Sequence, residues 1–148
     1  CDFVIGGCGT GQGFLNGVLQ FPGVVCGLIV EPLDAWLFSQ IKGGNCVSLP
    51  LNKGYGWAGS INLEYIFEKL FADPAGAGYP KERAKSQAMS RQTLAGISKL
   101  SHKDFTDILK ASDPEILKAI AGSKDFMKVL ADGGEKAKAV LELLGENR

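Results

Sequence analysis

Cys8-Gly9-Thr10-Gly11-Gln12-Gly13 stands directly behind the apolar run Phe3-Val4-Ile5-Gly6-Gly7. The order predicts a thiol at the end of a strand, at the mouth of a glycine-rich turn that opens into a helix. Glycines in such a turn reach positive φ and let a ligand approach the main chain closely. The N–H groups there favour negative charge, so they would lower the pKa of Cys8 and hold an oxyanion or a phosphate above it. Thr10 adds a hydroxyl to this cradle. The arrangement suits a base or nucleophile working on an anion. No placement of these turn glycines satisfies G-x-G-x-x-G, and G-x-x-x-x-G-K-[ST] is absent from the chain, so the usual nucleotide fingerprints do not fit this turn. On these residues alone Cys8 reads either as a ligand-facing thiol or as a buried structural one, cysteine being among the most buried residue types.

The elements that must position the turn are marked by hydrophobic pattern. Asp2 to Gly7 and Val24 to Val30 are continuous apolar runs rich in β-branched residues, joined by a segment of helix length. They predict a parallel β-α-β unit buried on both faces. Glu31-Pro32 starts a second helix, expected over Ala35 to Ile41, with proline in the first turn where its missing N–H costs nothing. A third strand, Asn45 to Leu49, ends at Pro50. After the loop Gly54-Tyr55-Gly56-Trp57, Ser60 is expected to cap a helix from Ile61 to Phe71 with Leu63, Ile66, Phe67 and Leu70 on one stripe. Asp73 to Gly78 is a flexible connection, and Pro80 opens a helix containing Arg83. From Thr93 onward the chain reads as short helices. Ser101 precedes Asp104, Ser112-Asp113-Pro114-Glu115 forms a capping box, and Ile116, Leu117, Ile120, Phe126, Val129, Leu130, Val140, Leu141 and Leu144 supply apolar faces. His102, near a helix start amid charged neighbours, is expected to be exposed.

Composition narrows the function classes. A chain of 148 residues suffices for one modest core, or for a small α/β unit with a helical appendage. Sixteen basic and sixteen acidic side chains balance, which gives no electrostatic argument for nucleic acid or an anionic membrane. Residues 1–60 hold only Asp2, Glu31, Asp34, Lys42 and Lys53 among charged groups, so the first part is core-like and the remainder surface-rich. The uncharged stretch Phe3 to Val30 is broken by Pro22, several glycines, Gln12, Asn16 and Gln20, which favours two strands around a packed helix over a membrane span. No signal peptide with a basic n-region is visible. Cys1, Cys8, Cys26 and Cys46 lack C-x-x-C spacing and histidine partners, so no metal is implied. Reduced, buried thiols of a cytoplasmic protein are the favoured reading of the strand cysteines.

Cys8-Gly9-Thr10-Gly11-x-Gly13 after a hydrophobic strand resembles the signature of the ribose-5-phosphate isomerase B and galactose-6-phosphate isomerase family. The similarity continues through Pro22-Gly23-Val24, Glu31-Pro32 and Gly44-Asn45, over residues 1–95. The resemblance implies a Rossmann-like α/β fold, three strands of its parallel sheet lying here, and a metal- and cofactor-independent aldose–ketose isomerase. It implies a homo-oligomer, dimer or tetramer, with active sites at subunit contacts and a sugar phosphate as substrate. Cys8 would be the base that moves a proton between C1 and C2, with Thr10 assisting. The backbone from Gly9 through Gly11 and Gln12 to Gly13 would stabilise a cis-enediolate, and Lys42 and Arg83 would contact the substrate.

The departures from the family pattern are equally specific. Where the family carries a His-Asn pair credited with ring opening, this chain has Ile41-Lys42. Of two arginines expected on the phosphate, one falls on Arg83 and the other on Tyr79, with Lys81 or Lys85 as substitutes. Family members also begin with two β-α units bearing an Asp/His sugar-binding segment, so the core is expected to be N-terminally incomplete. The expected organisation is an isomerase core at 1–73, a connecting helix that reaches a partner subunit at 74–98, and a helical C-terminal region at 99–148. Tyr55 and Trp57 either wall a sugar pocket or pack the sheet edge or a subunit contact. The competing function is a non-catalytic sugar-phosphate-binding or structural homologue.

Overall fold

The computed structural model describes residues 2–145, Lys136 by its backbone alone, and the chain divides into two compact units after His102. Cys1 lies outside the described residues. The first unit is built on three parallel strands, β1 (Val4–Cys8), β2 (Cys26–Leu28) and β3 (Cys46–Pro50), in the spatial order β1-β3-β2. The connection from β1 to β2 therefore passes over a position that β3 later fills. β3 pairs Val4 with Cys46 through Cys8 with Pro50 on one side, and Cys26 with Cys46 through Leu28 with Ser48 on the other.

Only β3 is buried along its whole length. β1 is an edge strand, and its Val4 and Ile5 are 45% and 46% exposed, so the expectation of two outer strands buried on both faces is corrected. β2 is also shorter than its apolar run. The Val25 N–H is taken by Asn45 Oδ1 at 2.9 Å, and Asn45 Nδ2 donates to the Gly23 carbonyl at 3.0 Å, so a side chain serves where the ladder would otherwise begin.

Helices cover both faces of the sheet. α1 (Gln12–Val18) sets the Phe14 ring against Gly6, where an added Cβ would fall 2.3 Å from it. On the opposite face α2 (Pro32–Leu37) and α3 (Gly59–Leu70) enclose a core of Ile29, Ala35, Val47, Leu49, Ile66 and Leu70, flanked by Phe3, Phe38, Leu63 and Phe67. Each large aliphatic side chain buried there contributes about 1.5–3 kcal/mol.

Three local expectations change. α2 starts at Pro32, with Asp34 Oδ2 accepting from the Val30 and Glu31 N–H groups. Past Leu37 it widens into a π-turn, Phe38–Lys42, which the Gly43 N–H closes onto the Phe38 carbonyl at 3.1 Å. The helix expected over Ala35 to Ile41 is therefore two elements. α3 begins behind Ala58, which is left-handed at φ 62°, so Ser60 lies inside the first turn and makes no capping bond. Pro80 leads into a 3-10 turn, Lys81–Arg83, and then α4 (Ala84–Ser101), a single helix that contains Thr93. The short helices begin only after it.

His102 is half-buried rather than exposed. Its ring nitrogens lie 3.0 Å from the Ser98 carbonyl and 3.2 Å from the Leu19 carbonyl, joining the end of α4 to the end of α1.

The second unit comprises α5 (Phe105–Lys110), α6 (Pro114–Gly122), α7 (Lys124–Ala131) and α8 (Glu135–Gly145), with Leu109, Leu117, Val140 and Leu144 at its centre. Asp104 and Asp113 cap α5 and α6 through the Thr106 and Glu115 N–H groups, at 3.1 and 2.8 Å. In the expected box the cap is thus Asp113, while the Ser112 hydroxyl donates to the Ile108 carbonyl. Ile116 and Val129, expected on apolar faces, are exposed. Among the described residues no helix is long and apolar enough to cross a membrane.

Candidate active site

Cys8 closes β1 opposite Pro50, at the C-terminal edge of the sheet. The chain turns at once: the Gly11 N–H donates to the Cys8 carbonyl at 3.1 Å, and Gly11 takes φ 76°. The Gly11 carbonyl accepts from the buried Ser48 hydroxyl at 2.6 Å and from the Leu15 N–H at 3.1 Å, so β3 and α1 both fix the turn. Thr10 Oγ1 accepts from the Gln12 N–H at 3.4 Å. The loop after β3 continues the ladder, Leu51 donating to the Cys8 carbonyl and Asn52 to the Gly9 carbonyl, each at 2.8 Å.

This geometry determines the state of the thiol. The N–H of Phe14 is the largest influence holding the half-buried Cys8 below the ordinary thiol range. Partial burial opposes it, and the N–H groups of Gly13, Thr10 and Gly11 reinforce it. Cys26 behaves in the opposite way. Burial, and then the neighbouring thiol of its register partner Cys46, push it up to about 12. A thiol raised in this way stays protonated, and so unreactive, near neutral pH. Iodoacetamide should therefore alkylate Cys8 first, with a rate that reaches its plateau at a lower pH than a free thiol, while Cys26 stays largely unlabelled. Peptide mapping over a pH series checks this, and labelling of Cys26 as fast as Cys8 would show that the turn does not prime its sulfur.

Cys8, Gly9, Thr10, Gly11, Gln12 and Gly13 thus stand together. Lys42 does not join them within one chain. It is exposed at the end of the π-turn that precedes β3, so the length of β3, roughly 13 Å, separates it from the Cys8 edge. Arg83, also exposed, follows a segment tied to that same π-turn: the Gly76 N–H donates to the Ser39 carbonyl at 2.8 Å and the Gly78 N–H to the Gln40 carbonyl at 2.9 Å. Ile41 is half-buried there, and its alkyl side chain offers no proton. Tyr79 packs edge-on against Trp36, ring centroids 4.9 Å apart, while the Gln87 amide holds both its N–H and its carbonyl. Trp36 Nε1 donates to Asp73 Oδ2 at 2.8 Å.

Asn52, beside the turn, escaped sequence reasoning, and Trp57 departed from it. Asn52 is exposed, and its amide lies against Gly9, where an added Cβ would come within 2.9 Å of it. Its place directly after the strand that pairs with β1 was the available signal. Trp57 is 100% exposed, so it packs on no sheet edge of this chain, whereas Tyr55 is half-buried and its hydroxyl is raised by that burial. A shallow open cleft of about 350 Å³ is lined by Pro32, Leu33, Trp36 and Lys69, none of them a residue of the turn. Among the described residues no three His, Cys, Asp or Glu side chains converge as metal ligands.

No family model matches the chain, and no curated protein sequence does. Solved structures do. A 4-deoxy-L-threo-5-hexosulose-uronate ketol-isomerase, complexed with a tartrate, is 40% identical over 99% of this chain and 68% of its own, with a TM-score of 0.94. A ribose-5-phosphate isomerase from Vibrio parahaemolyticus is 42% identical over 99% of this chain and 69% of its own, with a TM-score of 0.92.

Proposed function

The chain belongs to the ribose-5-phosphate isomerase B family, and from that premise we propose that it is an aldose–ketose isomerase of sugar phosphates with Cys8 as its base. The observation that carries the reading is the set of backbone N–H groups, from Phe14, Gly13, Thr10 and Gly11, that favours the Cys8 thiolate. A base for a proton α to a carbonyl must be ionisable and held in place, and the N–H groups around this sulfur favour its thiolate and fix its position at the end of β1.

With an open-chain aldose phosphate, the Cys8 thiolate takes the proton from C2. The C–H electron pair becomes the C1=C2 bond and negative charge moves to O1, giving a cis-enediolate. Charge thus leaves sulfur and arrives on an adjacent oxygen, within the field of the same N–H groups at Gly9 through Gly13. The hydroxyl proton on O2 passes to O1, a transfer assigned to Thr10. Return of the proton from sulfur to C1 yields the ketose and regenerates the thiolate. No metal or organic cofactor enters these steps. Ile41 supplies no acid for ring opening, so the substrate is taken in its open form.

Lys42 and Arg83 serve the phosphate, and their separation from Cys8 supports a homo-oligomer in which a second copy supplies them. The cellular setting that fits a free, ionisable thiol is the cytoplasm. Arg83→Ala should raise KM for a sugar phosphate about tenfold or more while leaving the corresponding free sugar unchanged, since the lost contact is charge-assisted and directed at phosphate. Equal effects on both, or none, would return Arg83 to the class of solvated surface charges.

A sugar acid is the second reading. Tyr79 stands where the family pattern expects a second phosphate arginine, and a uronate ketol-isomerase is among the similar structures. A panel of aldose phosphates and hexuronates incubated in D₂O decides between them by which substrate gains deuterium. Exchange into neither class leaves the non-catalytic homologue.

A further inference from the structure

Arg91, in the middle of α4, makes no use of an acidic partner in its described hydrogen bonds. Nη1 donates to the Ile41 carbonyl and Nη2 to the Gly76 carbonyl, each at 2.9 Å. Ile41 precedes Lys42, the last residue of the π-turn, and Gly76 lies in the segment that leads to Arg83. The two backbones already abut: a Cβ on Gly43 would come within 3.1 Å of Gly76 Cα. The π-turn supplies the acceptors for this junction, because the Ser39, Gln40 and Ile41 carbonyls receive Gly76 N–H, Gly78 N–H and Arg91 respectively. Gln40 Nε2 adds a longer bond to the Pro74 carbonyl at 3.5 Å.

The geometry points to Arg91 as a positioning residue that clamps the π-turn to the 74–78 segment and so fixes the spacing of Lys42 and Arg83 for one anionic group of the substrate. The inference rests on the reading of those two cations as phosphate ligands. A planar guanidinium suits the task because its two terminal nitrogens reach two carbonyls at once, which a lysine ammonium on a flexible stem does not reproduce. Arg91 itself touches no substrate in this scheme. Its effect is carried by the two side chains it spaces.

Arg91→Lys and Arg91→Met, the second keeping the aliphatic stem, test this in the full chain by two measurements. Titration with inorganic phosphate should show affinity about tenfold weaker in both variants, and KM for a sugar phosphate should rise alike. Both kcat and the rate of Cys8 alkylation should stay within twofold of the parent protein. Amide hydrogen exchange should quicken at Gly76 and Gly78, whose N–H groups the clamp protects. Parent-like phosphate affinity in Arg91→Lys, or unchanged exchange at those amides, overturns the assignment. So does a loss that falls equally on phosphate and free sugar, which marks a merely structural role. If Arg83→Ala also leaves phosphate affinity intact, the phosphate reading itself has failed. If Arg83→Ala weakens phosphate and Arg91→Lys does not, only the positioning role is lost.

Discussion

Cys8→Ser is expected to lower kcat for aldose–ketose interconversion by roughly 10²–10⁴, the usual worth of a positioned general base, with KM changed only a few-fold. Serine keeps the shape of the side chain and its place among the N–H donors. Its hydroxyl stays protonated near neutral pH, so those donors have no anion to hold. The pH profile of the parent protein carries the same signature. Donors that lower the thiol pKa make the base available below the ordinary thiol range, so kcat/KM should rise with pH and level off early. In stability the sign is fixed too. The contribution of the ionised, N–H-bound sulfur is present above the unfolded thiol pKa and is lost as pH falls through the lowered one. Ketose formation and deuterium entry at substrate C2 in D₂O measure the step directly, and wild-type exchange by Cys8→Ser would remove Cys8 as the base.

Gly11→Ala should be the most damaging methyl group in the turn. At φ 76° an L-residue costs about 1–2 kcal/mol. The added Cβ would also lie 2.4 Å from Leu28 Cδ1 and 3.2 Å from the Pro50 nitrogen. The Leu28 methyl can rotate away, but the Pro50 main chain, fixed in buried β3, cannot, so overpacking adds about 1–3 kcal/mol. Relief by shifting the turn would move N–H groups off the Cys8 sulfur. The variant should therefore unfold at lower urea and titrate its thiol at higher pH, followed by thiolate absorbance. Gly17→Ala in α1, whose Cβ meets nothing within 4 Å, is the control that should keep both properties. Parent-like stability and titration in Gly11→Ala would mean that the turn tolerates a side chain and that its shape is not what primes Cys8.

The parts legible in the sequence are those fixed by neighbours along the chain. A strand running into Cys8, a glycine turn and a helix behind it involve contacts a few residues apart, and all three stand as expected. Strand order was not legible, because β3 enters between β1 and β2 through pairing across some 40 residues. The π-turn was hidden for a similar reason. Its free carbonyls are taken by Gly76, Gly78 and Arg91, which lie far downstream. His102 looked like a solvated helix-start residue because Leu19, whose carbonyl it meets, is 83 positions away. At Ser60 a good capping residue lost to backbone geometry, since the left-handed Ala58 starts the helix two residues earlier than a cap at Ser60 would. Among the candidate site residues, the six of the turn could be grouped from sequence alone. That Lys42 stands at the other end of the sheet follows only from the parallel register of β3.

The π-turn also constrains how this lineage can change by insertion and deletion. Its i→i+5 closure at Phe38–Gly43 holds one more residue than an α-turn would. Deleting Phe38 could be healed locally as continuous α-helix, a change that secondary-structure propensity alone would score as harmless. Yet the residues after the deletion would swing by about 100° around the helix axis. The carbonyls that now face Gly76, Gly78 and Arg91 would turn away together, and the segment leading to Arg83 would lose its whole set of anchors at once. Substitutions in this turn can accumulate one at a time, whereas a change in its length is a single irreversible step for everything docked upon it.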